Sequence, residues 1–362
     1  MMLTGKLKER ELPDLLTFKN GEAVDSKALW SKRRAEILEL LKSEIYGFSP
    51  PPPQKVTAVI QKCDDDAFAG KAVHSVIDIQ FDTPKGQFSF PINMIIPKNI
   101  SRAPLLLHIA FRPEIPDRYY PVEEIIDGGF ATASFYYKDI APDNEDGFVG
   151  GIAGMYPRNS HSTEQWGKIS MWAWAAQRVM DYLQTLNEID RERIAVVGHS
   201  RLGKTALWCA AQDERFAMGI SNDSGCSGAA ITREKKGERI KDITSNFSYW
   251  FCENYQRYID NEKSMPFDQH FLLSAIAPRF VYVSSAQEDE WADAQSEFLS
   301  CVATKKVYEL LGLRGFVTQD EFPKPGTKLH EGEIGYHLRE GTHFLSRYDW
   351  QCFMEYMKKK LY

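Results

Sequence analysis

The chain has 362 residues, 43% hydrophobic and 26% charged, a balance that supports a large buried core and excludes a disordered or collagen-like chain. Lysine and arginine number 44 against 50 aspartates and glutamates, a formal net charge of −6, which argues against non-specific binding to nucleic acid. No run of about 18 apolar residues occurs, so no membrane span is expected. The start, MMLTGKLKERELPDLL, lacks the apolar stretch of a signal peptide. The expected location is cytoplasmic as written, or periplasmic or secreted if a leader was removed. Cys63, Cys209, Cys226, Cys252, Cys301 and Cys352 form no C-x-x-C pair, which excludes a zinc ribbon or thioredoxin motif. Free thiols are expected, with room for one bridge, and Cys226 and Cys252 read as small buried hydrophobes. Nothing in the sequence sets the oligomeric state.

In chain order, residues 28–47 predict a helix stopped by Gly47, with Pro50 to Pro53 beyond it. Strands follow at 55–63, 73–81, 88–96 and 105–111. The first two alternate as half-buried antiparallel strands do. The fourth is nearly all apolar, which suits a strand covered on both faces. Strands and helices then alternate: strand 130–137, helix 164–186, strand 194–198, helix 202–211, strands 216–221 and 280–284, helix 294–311, strand 334–338 and helix 348–360. That alternation implies a mostly parallel sheet with helices on both faces. The first 100 residues add a helix and antiparallel strands at one edge. Residues 222–270 read as an insertion over the active site. Trp166, Trp172 and Trp174 on the long helix read as packing. Lys358-Lys359-Lys360 suits a helix C-terminus. No linker-like break divides the chain, so one domain over 1–362 is expected.

The segment that carries chemistry is Ile194-Ala195-Val196-Val197-Gly198-His199-Ser200-Arg201-Leu202-Gly203-Lys204-Thr205, an apolar strand turning straight into a helix. It satisfies two patterns. As G-x-x-x-x-G-K-[ST] it is a P-loop, with Lys204 on an outer phosphate and Thr205 on magnesium. As a nucleophile elbow it lifts the Ser200 hydroxyl above the sheet. There the second glycine falls at +3 rather than +2. A P-loop usually follows the first strand of its domain, whereas here about five strands come first. A hydrolase needs a later acid and then a histidine. His343 follows strand 334–338, and Asp289 follows strand 280–284. Asp223 follows strand 216–221 and is a second candidate acid. His330 and His337 lie close to His343 in sequence but do not form H-E-x-x-H, so no metal site is expected.

These segments resemble the bacterial branch of the glucuronoyl esterases, carbohydrate esterase family fifteen, within the α/β-hydrolases. The likeness covers residues 164–343. It rests on the Gly198–Lys204 segment, on Ser221-Asn222-Asp223-Ser224-Gly225-Cys226-Ser227-Gly228-Ala229-Ala230, and on Trp250-Phe251-Cys252. It rests too on Asp268-Gln269-His270, Ala277-Pro278-Arg279 and Glu288-Asp289-Glu290-Trp291-Ala292-Asp293. The resemblance implies an α/β-hydrolase fold and a serine carboxylic-ester hydrolase that needs no cofactor. It implies cleavage of 4-O-methyl-glucuronoyl esters between xylan and lignin alcohols. It makes Ser200 the nucleophile, His343 the base, and Asp289 or Asp223 the acid. Arg201 matches an arginine of the oxyanion hole, Lys204 a lysine that binds sugar hydroxyls, and Trp291 a tryptophan lining the sugar site. The implied partner is a carbohydrate ester, with no nucleic acid and no membrane. Fungal members carry a disulfide-bonded cysteine before the serine, where this chain has His199. Relatives in this branch also include acetyl xylan esterases, so a carbohydrate deacetylase is the second expectation, and a nucleotide-binding P-loop a remote third.

Overall fold

The computed structural model describes residues 3–159 and 161–361. Ten strands build one sheet: β1 (Val56–Ala67), β2 (Ala72–Thr83), β3 (Gly86–Pro97), β4 (Ala103–Ala110), β5 (Ala131–Tyr136), β6 (Ile189–His199), β7 (Met218–Asn222), β8 (Phe280–Ala286), β9 (Lys328–Leu329) and β10 (Ile334–Arg339). Their order is β1-β2-β3-β5-β4-β6-β7-β8-β10-β9. The strands from β5 through β10 in this order are parallel. β1, β2 and β3 join one end antiparallel, and the two-residue β9 joins the other. This is the α/β-hydrolase arrangement that the alternating pattern predicts.

Apolar side chains leave the central strands toward both faces, as buried parallel strands require. Leu105, Leu107, Val196, Val281 and Val283 enter a core shared with helices Lys27–Leu41, Lys168–Leu183, Arg201–Gln212 and Ala294–Leu310. Leu106, Ala195, Val197 and Tyr282 enter a second core beneath Val122–Asp127 and Arg347–Leu361. Trp166, Trp172 and Trp174 are buried in the first core. Residues 222–270 hold no strand beyond the end of β7. They form the helix Ile240–Phe247, three 3₁₀ turns and the short helix Gln269–Ser274 that starts near their end. The six cysteines are free, and Cys226 and Cys252 are buried. No helix among the described residues is long and apolar enough to cross a membrane.

Two predicted helices differ at their ends. The first leaves α geometry at Leu41 and widens into a π turn over Lys42–Tyr46 before Gly47 reverses the chain at φ 79°. The long tryptophan-rich helix starts at Lys168, not at 164. Residues before it are taken by a bridge to the Gly47 turn, where the Phe48 N–H donates to the Glu164 carbonyl (2.8 Å) and the Gly167 N–H to the Tyr46 carbonyl (3.0 Å).

Gly198 permits the sharp junction of β6 and helix Arg201–Gln212. A Cβ at that position would lie 1.9 Å from the Leu202 carbonyl oxygen, a backbone atom that cannot swing aside. Gly198→Ala is therefore expected to lower stability by about 3 kcal/mol, read as a reduced urea midpoint. An unchanged midpoint would show that the junction has room to relax.

Candidate active site

The parallel strands end at one edge, where ligands of open α/β sheets bind. β6 delivers Ser200, β7 delivers Asp223, the loop after β8 delivers Asp289, and the loop after β10 delivers His343. Ser200 holds φ 56° and ψ −125°, a conformation that costs a non-glycine residue energy and recurs at functional turns. The turn is fixed by the Ser200 N–H donating to the Asn222 carbonyl (2.9 Å), and by the Gly203 and Lys204 N–H groups donating back to the Ser200 carbonyl. The first N–H groups of the following helix have no partner within it, so they are available to a developing negative charge.

His343 is brought to this turn. Its ring centroid lies 4.5 Å from that of His199, the residue before Ser200. His343 Nδ1–H donates to Asp289 Oδ2 at 2.5 Å, which leaves Nε2 as the free nitrogen. Asp289 Oδ1 accepts from the Ala292 N–H (3.0 Å). Burial raises the Asp289 carboxyl, but the imidazole and that N–H outweigh it and hold the group below the usual carboxylate range. His199 is buried and pushed down to about 3, so it is neutral at pH 7. Its Nδ1–H donates to Asn222 Oδ1 (2.6 Å), and Asn222 Nδ2 donates to Ser284 Oγ (3.0 Å).

The second candidate acid, Asp223, has other partners. Its Oδ1 accepts from the Ala286 N–H (2.7 Å) and its Oδ2 from Arg339 Nη2 (3.2 Å). Burial, then repulsion by Glu297, push this carboxyl well above the ordinary range. Asp223, Asp289 and His343 each offer an atom within 4.8 Å of the others. Within that grouping Asp223 Oδ2 is already paired with Arg339 and His343 Nδ1 with Asp289. His330 and His337 belong to neither arrangement. Both bond to the Tyr282 hydroxyl (2.7 and 2.9 Å), and His337 Nε2 bonds to Asp349 (2.8 Å).

Arg201 reaches an ion pair with Asp143 and lies over the Trp250 ring (4.6 Å) and the Phe247 ring (5.2 Å). Asp143 is fixed by Trp250 Nε1 (2.8 Å) and the Tyr137 hydroxyl (2.8 Å). The Arg201 Nε is buried and has no hydrogen-bond partner. Lys204 is buried rather than solvated. Its Nζ donates to the Ser224 carbonyl (2.5 Å) and lies 3.9 Å from Glu238. Burial lowers its pKa, against the pull of Glu238. Trp291, by contrast, is 55% exposed and lines a cleft of about 390 Å³ with Asp289, Gln287 and Lys236.

The P-loop expectation is corrected here. Lys204 turns into the protein instead of toward a phosphate, and Thr205 Oγ1 donates to the Arg201 carbonyl (2.9 Å). The pattern arises because a tight strand-to-helix turn and a phosphate loop both need small residues where backbones meet. Asp143 and Glu238 were missed by sequence reasoning. Neither stands in a motif, and each meets its partner only through the fold.

Comparison with known proteins bears on the family and the fold. The family model of fungal glucuronyl esterases matches residues 79–312. The carbohydrate esterase MZ0003, from an unknown prokaryotic organism, is 33% identical over 95% of this chain and 88% of its own length. A 4-O-methyl-glucuronoyl methylesterase of Podospora anserina is 31% identical over 83% of this chain, which spans 60% of that relative's length. Among solved structures, a glucuronoyl esterase from Solibacter usitatus superposes with a TM-score of 0.89 at 34% identity, covering 96% of this chain and 97% of that one. A family 15 carbohydrate esterase from Teredinibacter turnerae gives 0.87 at 29% identity, covering 98% and 90%. The chain belongs to the glucuronoyl esterases of carbohydrate esterase family 15 and is a carboxylic-ester hydrolase of the α/β-hydrolase fold.

Proposed function

We propose that this esterase cleaves uronic acid esters of plant polysaccharide, of the 4-O-methyl-glucuronoyl type, with Ser200 as nucleophile, His343 as general base and Asp289 as the acid that orients it. The observation that carries the reading is the bond from His343 Nδ1–H to Asp289 Oδ2 at 2.5 Å, beside the strained Ser200 turn. The ester class is supported by the names of the matching relatives. The chain is read as one domain, which the unbroken ten-stranded sheet supports.

In this mechanism His343 Nε2 takes the proton of Ser200 as its Oγ attacks the ester carbon. The Arg201 N–H and guanidinium stabilise the oxyanion, and a charged donor in a sheltered site is stronger than a neutral one. His343 then gives the proton to the departing alcohol. Water, deprotonated by the same imidazole, hydrolyses the acyl-enzyme and returns the serine. Trp291, exposed beside Asp289, supplies an apolar face for the sugar, and the Lys204 ammonium, held by the Ser224 carbonyl and facing Glu238, keeps a third N–H for a sugar hydroxyl at the floor of that edge.

Glu297 lies beneath the site and ties its loops together. It accepts from the Gly225 N–H (2.8 Å) and from the Ser285 hydroxyl (2.6 Å). Burial pushes it up to about 7. A carboxyl raised in the folded state holds its proton there more tightly than in the unfolded chain. Its favourable contribution is complete below about pH 4.5 and is lost as pH rises through about 7.

Three substitutions test the mechanism on a benzyl glucuronate ester. Ser200→Ala is expected to abolish turnover with the fold intact. Asp289→Asn is expected to lower kcat about 10⁴-fold, and Asp223→Asn far less. Equal losses at both aspartates would move the acid to Asp223. A panel comparing glucuronate esters with acetylated xylan tests the substrate, and dominant deacetylation would replace the uronate reading.

Glu297→Gln is expected to gain stability relative to the parent as pH rises from 5 to 8, by up to about 3 kcal/mol. Urea unfolding across that range measures it. A difference independent of pH would mean that Glu297 is ionised at ordinary cost.

A further inference from the structure

Arg339, the last residue of β10, is buried four residues before His343, and all three of its nitrogens are engaged. Nε donates to both oxygens of Asp349 (3.1 and 3.0 Å). Nη1 donates to the Glu340 carbonyl (2.9 Å). Nη2 donates to Asp223 Oδ2 (3.2 Å), to the Thr342 carbonyl (3.1 Å) and to the Phe344 carbonyl. The carbonyls of 340, 342 and 344 thus turn to one guanidinium. The intervening residues turn the other way, toward the loop after β8. Gly341 exchanges bonds with Glu288, its N–H donating to Oε1 (3.2 Å) and its carbonyl accepting from the Glu288 N–H (3.0 Å). His343 reaches Asp289 on that same side.

The anchors of Arg339 are themselves fixed. Asp349 opens the last helix and accepts from the Ser346 N–H (2.7 Å) and hydroxyl (2.6 Å), and from His337 Nε2 (2.8 Å). Both carboxylates paired with Arg339 are fully buried. A buried cation with so many acceptors is a costly device for stability alone, since apolar side chains of like volume often replace buried ion pairs without loss. Its geometry serves position: a planar fork holds several acceptors in one plane, which a lysine cannot do.

We propose that Arg339 is the positioning residue of this esterase, holding the 340–344 loop so that His343 faces Ser200, and occupying Asp223 so that the imidazole pairs with Asp289 alone. The proposal rests on His343 being the general base. Arg339 touches neither the nucleophile nor the sugar residues, so its loss should act on kcat and leave substrate binding in place.

The test compares Arg339→Gln, Arg339→Lys and His343→Ala with the parent on a benzyl glucuronate ester, with folding followed by circular dichroism and thermal melting. Folded Arg339 variants are expected to lose about a hundredfold in kcat, with KM within about twofold of the parent. The lysine variant keeps the charge but not the fork and is expected not to restore the rate. A kcat within about threefold of the parent in either folded variant, or a loss confined to KM, overturns the proposal. If neither variant folds, Arg339 is a folding element and the positioning role is likewise overturned. Full turnover by His343→Ala would instead remove the base reading, and this proposal with it. His343→Ala inactive beside fully active Arg339 variants would remove the proposal alone.

Discussion

The parallel register of β6, β7, β8 and β10 is the constraint from which the site follows. His199 aligns with Asn222, Asn222 with Ser284, and Ser284 with His337. Four adjacent strands therefore carry one polar residue each in a single row, at the C-terminal ends of β6 and β7 and two residues before those of β8 and β10. His199, Asn222 and Ser284 are joined through their side chains along that row. Ser200 on the elbow and Asp223 after β7 come next above it, and β8 continues through Ser285 and Ala286 before the turn that leads to Asp289. A slip of one residue between any two of these strands would turn the row over to the opposite face. The apolar alternation on either side of the sheet forbids that slip, because Val196 and Val197 must enter different cores. Core packing thereby fixes the relative height of Ser200 and both carboxylates.

Electrostatics then distinguishes two chemically identical groups. Asp223 and Asp289 are both sheltered, both follow a parallel strand, and both approach the same imidazole. Only their other partners differ. Asp223 already answers a guanidinium and a backbone N–H, and burial and a neighbouring carboxylate push its pKa up. Asp289 has the imidazole as its main counter-group, and its pKa is held down. A group held in its ionised form can stabilise an imidazolium as it forms, which is what the proposed acid must do.

That comparison also marks what the sequence carried. The elbow was legible because its requirements are local: an apolar run, Gly198 where the helix carbonyl crowds the strand, and a serine at the bend. Asp289 and His343 were legible as candidates because each follows a strand whose apolar run is plain. What separates Asp289 from Asp223 in the structure was not legible, because Asp223 pairs with Arg339, 116 residues away. Lys204 was ambiguous for a similar reason. Its pattern matched a phosphate loop, and only the Ser224 carbonyl and Glu238, reached through the fold, direct it inward. Asp143 carried no signal at all, since an Asp in a loop 58 residues before its arginine resembles any solvated acid. The late start of the helix at Lys168 was hidden too, because the bridge from Phe48 that claims the preceding residues is a tertiary contact.

The pairing of Arg201 with Asp143 bears on how the oxyanion would be held. An arginine free in a cleft would sample many rotamers, and ordering it during the reaction would cost entropy. Here Asp143 fixes one edge of the guanidinium, and the stacked Phe247 and Trp250 rings lie against it. The carboxylate offsets part of the positive charge, which weakens each remaining donor. The loss is accepted in return for position, since donors that need no reorganisation as charge develops contribute most to catalysis. The same logic would apply on the other side of the proposed site, where Asp289 bonds the His343 imidazole. On both sides a buried carboxylate restricts a cationic or basic group, which in the proposed mechanism would leave it in place before substrate arrives.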